Sequence, residues 1–467
     1  MFTLADVFAA AHLPPPFGSE TIKLRGAHFD SRNVGYGMLF VAMPGNRVDG
    51  NDYIRDAFSR GATAVLAERL EPTCRNSRQI IVSNALQTFR SLAHRIRERS
   101  SATVIGITGS NGKTSTKQAL SAALNAHAPT LATDRSENAD VGVPTTISRL
   151  SAEHRFAVVE MGAQVQGEIA SHCRIAHPDM GVITNLSGAH IGEFGSMAAI
   201  VKAKSELIEA LPATATTILP YEGPGVSDLR SSAPGRIVTF GRQSSADVKV
   251  SLSLTSTGSS VTIAIQNSEL SVDVPGIAGP VDLAFGAAMA VTVALGLDPE
   301  TSTRGLHAFK PAVHRMALRP TSRGITILDD SYNANAASMI EALRVLKQIP
   351  TRGQRFAVLG DMLELGPMSD REHRNIGRIA AKSDGLIAIG QMAELYAQGA
   401  IEAGMPTAKI HTFVPRTSKA RHLVLARDRL EGFLQTNLKP GDTVLLKASN
   451  GIGLSHVADS LATADEY

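Results

Sequence analysis

Apolar and polar positions follow three successive regimes along the chain. Over the first hundred residues, short apolar runs alternate with turns. Met1–Glu20 carries apolar residues at helical spacing, so a short amphipathic helix is expected. MLFVAMPG (Met38–Gly45) predicts a buried strand ending in Pro-Gly, and NDYIRDAFSRGATAVLAER a helix stopped at Gly61 and then a strand. From Val104 the pattern becomes strand, loop, helix, repeated. Apolar runs at Val104–Thr108, Phe156–Met161 and Met180–Leu186 predict strands, and the 3.6-residue period over Lys113–Ala126 and Ala198–Leu211 predicts helices. Such alternation builds a parallel sheet covered by helices. The period drops to two in DVKVSLSLTSTGSSVTIAIQ (Asp247–Gln266), which predicts a hairpin, expected as an antiparallel appendage. GPVDLAFGAAMAVTVALGL is a small-residue helix stopped by glycine, and FKPAVHRMALRP (Phe309–Pro320) reads as a connector. Beyond it, strands are expected at Ile325–Asp329, Phe356–Gly360, Gly385–Gly390 and Thr443–Lys447, with helices between them. The expectation is an α/β protein of three modules: 1–99, 100–312 and 313–467.

Composition narrows the function classes. The 467 residues exceed one ordinary domain, and 43% apolar against 19% charged residues excludes global disorder. Net charge is +3 with no dense Lys/Arg block, and aromatics are 4%, so no nucleic-acid surface is expected. Cys74 and Cys173 form neither a disulfide framework nor a metal-ligand pattern. The N-terminus lacks a basic region and contains Asp6, which does not match a signal peptide. No apolar run approaches the roughly 20 residues of a membrane span. A soluble, cytoplasmic, monomeric protein acting on small molecules is expected.

The chemistry starts at VIGITGSNGKTSTKQAL (Val104–Leu120). A strand enters a turn with two glycines and a helix starts at once. Glycines let amides approach an anion, the helix N-terminus adds partial positive charge, Lys113 adds a full one, and Thr114 offers a hydroxyl to Mg²⁺. The common phosphate-loop spacing would need glycine at 107, where Ile107 stands. Glu160 closes one predicted strand, while Asn185 and His190 follow another, at strand ends where ligands gather in open α/β sheets. Lys202 and Lys204 read, on composition alone, as a solvated helix face.

T-G-S-N-G-K-T resembles the shorter ATP loop of the Mur ligases, which reads T-G-x-N-G-K-T, and further segments resemble that family, its MurF type in particular, in order along most of the chain. The resemblance implies a small N-terminal α/β domain holding a UDP-substrate, a central P-loop parallel-sheet ATPase domain and a C-terminal Rossmann-like domain. It implies an ADP-forming ligase that joins D-alanyl-D-alanine to UDP-N-acetylmuramoyl-tripeptide through an acyl phosphate, in peptidoglycan precursor synthesis. By the same resemblance Thr108, Gly109, Ser110, Asn111, Gly112, Lys113, Thr114 and Ser115 hold ATP. Thr114, Glu160, His190 and an N6-carboxylated Lys204 hold two Mg²⁺ ions, and Asn138 approaches the γ-phosphate and substrate. ILDDSYNANAASMIEAL supplies Asp330, Tyr332, Asn333 and Asn335 around the nucleotide, and Arg315 reaches its phosphates when the third domain closes. Position 285, on the small-residue helix, is carried as a nucleotide-side contact with no assigned role. Ser31 and Arg32 of a D-S-R signature, with Lys447 and Ser449 late in the chain, are expected to bind substrate. Departures from the family pattern stand at Asn51, Ala139, His314, Ala448 and Asn450. They leave open a ligase of the same type with other substrates, or a non-catalytic nucleotide-binding protein.

Overall fold

The computed structural model describes residues 1–45, 48–74, 78–188 and 191–463. Within the first module, strands Gly26–His28, Met38–Val41, Ala64–Ala67 and Gln79–Ile81 form a parallel sheet in chain order. The N-terminal helix runs over Leu4–Ala10, where Thr3 and Asp6 form a reciprocal cap and Leu4, Val7 and Ala10 face the core. Helix Ala85–Glu98 leads onward. Its Arg97 donates to the Ala176 carbonyl (2.8 Å) and to Asp179 (2.8 Å), tying this module to the next.

The middle of the chain builds a nine-stranded sheet. From one edge it reads Ser268–Pro275, Gly258–Ile265, Val248–Leu254, Arg236–Gly241, Thr216–Pro220, Met180–Ile183, Thr103–Thr108, Phe156–Glu160 and Thr130–Ala132. The expected hairpin is present, but it is not an appendage. Val248–Leu254 pairs parallel to Arg236–Gly241, and a third strand, Ser268–Pro275, extends the antiparallel end. The reason is burial: Val248, Val250, Val261 and Ile263 share one core with helix Val281–Ala294. That helix is apolar on every side because it lies between the sheet and helix Lys113–Asn125, and Gly286 lets Val250 and Phe240 come close. Phe285 is fully buried there, edge-on to Phe309.

The third module is a six-stranded sheet ordered Ala317–Pro320, Thr326–Asp329, Thr443–Lys447, Arg355–Gly360, Gly385–Ile389 and Ile410–Phe413. The expected connector therefore ends as an edge strand, antiparallel to Thr326–Asp329 while the other pairings are parallel. Both cysteines are free.

Candidate active site

A buried strand, Thr103–Thr108, delivers the phosphate loop. Gly109 has φ +145°, and a Cβ there would lie 2.1 Å from the Thr184 hydroxyl, so only glycine fits. Helix Lys113–Asn125 follows Gly112, which is left-handed at φ +78°. The predicted strand Met180–Leu186 stops at Ile183, because the next residues turn to brace this loop. Asn185 accepts the Ser110 amide on its carbonyl and the Asn111 amide on Oδ1, both at 2.9 Å. The Thr184 hydroxyl donates to the Asn111 carbonyl (2.6 Å), and that of Ser110 to the Ser187 carbonyl (2.9 Å). Lys113 arches back over the loop, donating to the carbonyls of Gly109 (2.8 Å) and Ser110 (3.3 Å), and burial lowers its pKa. Thr108 lies fully buried behind the loop, its hydroxyl without a hydrogen-bond partner.

Beside the loop, Glu160 is 1% exposed. Its Oε1 accepts from Asn138 Nδ2 (2.6 Å) and from the Thr114 hydroxyl (3.2 Å). Its Oε2 has no hydrogen-bond partner and lies 3.7 Å from Lys117 Nζ. Burial lowers the pKa of Lys117, and Glu160 opposes that shift. Lys117, Thr184 and Ser187 are absent from the expected site. Lys117 was discoverable, one helical turn after Lys113 on the same face.

The two lysines of the helix Met197–Glu209 separate. Lys202 is exposed, as composition predicts, but Lys204 is 3% exposed, which corrects the expectation of a shared solvated face. Its amine lies 3.5 Å from the Ala163 carbonyl and 5.5 Å from the Phe194 ring centre. Burial first, and the Lys113 charge second, bring its pKa down to about 7. His190 lies outside the described residues. Among the described residues, no three His, Cys, Asp or Glu side chains form a metal cluster.

The third module supplies the facing wall. Asp330 and Lys447, both buried, form an ion pair, and Lys447 also donates to the Asn333 carbonyl (2.9 Å). Burial raises the Asp330 pKa, against the pull of Lys447 and Arg315. The Arg315 guanidinium lies over the Tyr332 ring at 4.1 Å. Asn335 caps helix Ala336–Gln348 with Oδ1 and donates from Nδ2 to Asn111 Oδ1 (2.8 Å), so one side chain joins both walls. A second contact seats Gly192 against the backbone of Glu364–Gly366, where a Cβ would come within 2.5 Å of a carbonyl. Between the walls lies a cleft of about 540 Å³. Ser110–Thr116, Asn138 and Glu160 line one side of it. Arg315, Asp330, Tyr332, Asn333, Asn335 and Lys447 line the other, and Leu283, Phe309, Pro311 and Ala312 add an apolar part to the lining.

Other expected residues stand apart from this cleft. Phe285 is a core aromatic, so position 285 is corrected to a packing role. Ser449 braces the wall from behind, accepting the Leu363 amide (2.9 Å) and donating to the Ala334 carbonyl (3.3 Å). Ser31 donates to Asp56 (2.7 Å), and Arg32, 78% exposed in its side chain, pairs with Asp30. Of the departures, Asn51 is buried in its turn, donating to Asp49 and accepting the Glu68 amide, and Ala448 is fully buried.

Comparison with known proteins gives the family. Three family models match in succession: the Mur ligase family, catalytic domain, over residues 23–100; the Mur ligase middle domain over 107–284; and the Mur ligase, glutamate ligase domain, over 314–450. The UDP-N-acetylmuramoyl-tripeptide–D-alanyl-D-alanine ligase of Mycobacterium tuberculosis strain H37Rv is 33% identical, over 98% of this chain and 96% of that protein. The protein of the same name from Bacillus subtilis is 30% identical, over 95% and 94%. A crystal structure of MurF from Acinetobacter baumannii superposes with a TM-score of 0.84 at 29% identity, covering 99% of this chain and 98% of that one. The MurF ligase of Thermotoga maritima in complex with ADP superposes with a TM-score of 0.78 at 28% identity, covering 95% and 99%.

Proposed function

Since the chain belongs to the Mur ligase family, in its MurF branch, we propose that it is an ATP-dependent, ADP-forming ligase that joins D-alanyl-D-alanine to UDP-N-acetylmuramoyl-tripeptide. The observation that carries this reading is the cleft itself, where Lys113 and Glu160 of the middle module face Arg315 and Asp330 of the third. A carboxylate of the acid substrate attacks the γ-phosphorus of ATP, the bond to ADP breaks, and an acyl phosphate forms. The amine then attacks the acyl carbon, loses a proton and expels phosphate. ATP and the acid are anions, and the amine substrate carries a carboxylate of its own, so the chain's task is to gather positive charge and hold the partners in line. Lys113 and Arg315 supply that charge, and Asn138, fixed by Glu160, orients the γ-phosphate and acid. Contact between the walls at Asn335–Asn111 shields the acyl phosphate from water.

The residues present fit Mg²⁺. Glu160 Oε2 is a buried carboxylate oxygen without a hydrogen-bond partner, and the Thr114 hydroxyl lies beside the same carboxyl group. Thr114, Glu160, His190 and a carbamylated Lys204 would hold two ions. When bound, they neutralise the phosphate oxygens. The reading also sets domain limits near residues 100 and 313, and takes the enzyme to act as a cytoplasmic monomer on small molecules. No helix among the described residues is long and apolar enough to cross a membrane.

The test is phosphate release from ATP with acid and amine supplied singly and together, with mass spectrometry of the product. The expected result is release only with both UDP-N-acetylmuramoyl-tripeptide and D-alanyl-D-alanine, and a pentapeptide product. A folded protein that makes no pentapeptide overturns the substrate assignment.

A further inference from the structure

Arg315 stands between two residues with left-handed backbone: His314 at φ +59° and Met316 at φ +50°. An L-residue is crowded at its Cβ in this region, and glycine is not. The chain turns and bends through these residues. Both flanks are anchored. The Tyr332 amide donates to the His314 carbonyl (3.1 Å), the Met316 amide donates to Asp330 Oδ1 (3.2 Å), and the Met316 carbonyl accepts the Ala278 amide (3.1 Å). The turn therefore touches the third module on one side and the middle module on the other. Arg315 projects from it over Tyr332 and into the cleft.

The His314 ring holds this unfavoured twist in place. Its Nδ1 lies 2.8 Å from Oδ2 of the buried Asp329, and its Nε2 lies 3.7 Å from Asp459 Oδ2. The same two carboxylates share Arg319, at 3.0 and 2.8 Å, and Asp329 Oδ1 takes the Ser331 hydroxyl at 2.6 Å. Glycine at 314 would adopt the twist without crowding but would have nothing to tie it to either carboxylate. We propose that His314 is a positioning residue: its tie to Asp329 and Asp459 fixes the turn that aims Arg315 into the cleft. This rests on the cleft being the nucleotide site.

The test compares His314→Gly, His314→Asn, Arg315→Ala and the double variant His314→Gly/Arg315→Ala. It reads kcat by phosphate release with both substrates, affinity by titration with fluorescent mant-ATP, and melting temperature. Arg315→Ala is expected to lower kcat about 100-fold. His314→Gly should lower kcat about tenfold with a melting temperature close to that of the unaltered protein, because glycine relieves the left-handed crowding and Arg319 still pairs with Asp329. Asn tolerates the left-handed region, and its amide reaches where His Nδ1 stands, so His314→Asn should stay within about threefold. If His314 acts through Arg315, His314→Gly costs less than about twofold in the Arg315→Ala background. Full activity in His314→Gly, an undiminished loss in the double variant, or equal losses for Asn and Gly would each overturn the proposal. Should His314→Gly not fold, His314→Ser, too short to reach Asp329, takes its place. An Arg315→Ala protein with unchanged kcat and mant-ATP affinity would instead refute the reading of the cleft.

Discussion

The two walls of the cleft are held in different ways. The middle module fixes its phosphate loop with neutral hydrogen bonds, donated by Thr184 and accepted by Asn185 and Ser187. The third module fixes its wall with charges: Asp330 against Lys447, and Asp329 against Arg319. Neutral bracing leaves Lys113 bonded to carbonyls of its own loop, so its charge stays available to a phosphate. Ionic bracing consumes the charges that do it, and it fails severely when one partner goes, because the other is left buried and unpaired.

Four sets of variants put this contrast at risk, in decreasing order of effect. Lys113→Ala should lower phosphate release roughly 10³-fold. Its melting temperature should hardly change, since Thr184, Asn185 and Ser187 still brace the loop. A large loss of stability would mean the loop is charge-braced after all. Asp330→Asn should destabilise the third module by about 3–5 kcal/mol in denaturant unfolding, and Asp330→Asn/Lys447→Met should recover most of it. Equal losses in single and double variants would refute ionic bracing.

Next comes Lys204, the buried amine of the middle wall. Its pKa of about 7 lies below the ordinary lysine value, so the folded state binds fewer protons than the unfolded one. The cost of burying it is full below about pH 7 and fades as pH rises from there. Carbamate formation needs the neutral amine, so initial rates should rise about tenfold between pH 6 and 8. That limb should vanish in Lys204→Ala, whose activity a short carboxylic acid should restore. A flat profile, or full activity in Lys204→Ala, ends the carbamate reading. The smallest effect falls on the contact between the walls: Asn335→Ala should cost about 1 kcal/mol through its lost helix cap, with a modest rise in the KM for ATP. An unchanged KM would mean that Asn111 does not need its partner across the cleft.

What could be read beforehand follows sequence distance. Gly109, Gly112, Lys113 and Thr114 fall within one turn, so the shape of their loop is legible in six residues. Their brace was not, because Asn111 meets Asn185 across 74 residues of chain. Alternation between Asp247 and Gln266 identified a hairpin. It could not say that Val248 would pair with the main sheet, since one strand carries no record of its neighbour. Lys204 and Lys202 differ only in which side of their helix meets the core, a fact of packing rather than composition. Position 285 fails for the opposite reason: a helix apolar on all sides has no visible face, so nothing local separates a core aromatic from a cleft residue. Ser31 and Arg32 are where the D-S-R signature puts them, but their partners in the fold are Asp56 and Asp30.

The order of strands around the phosphate loop also sets a timetable. Thr103–Thr108 lies between Met180–Ile183 and Phe156–Glu160, both made later. On the ribosome the loop emerges first and stays without its brace until Ser187 has cleared the exit tunnel. At typical synthesis rates that delay is on the order of ten seconds. A nascent chain therefore displays the motif before it has the brace. If the loop is the ATP site proposed above, competence for ATP arrives late, with the closing of the middle sheet, and a chain stalled after the motif has emerged but before Ser187 has would display the motif unbraced.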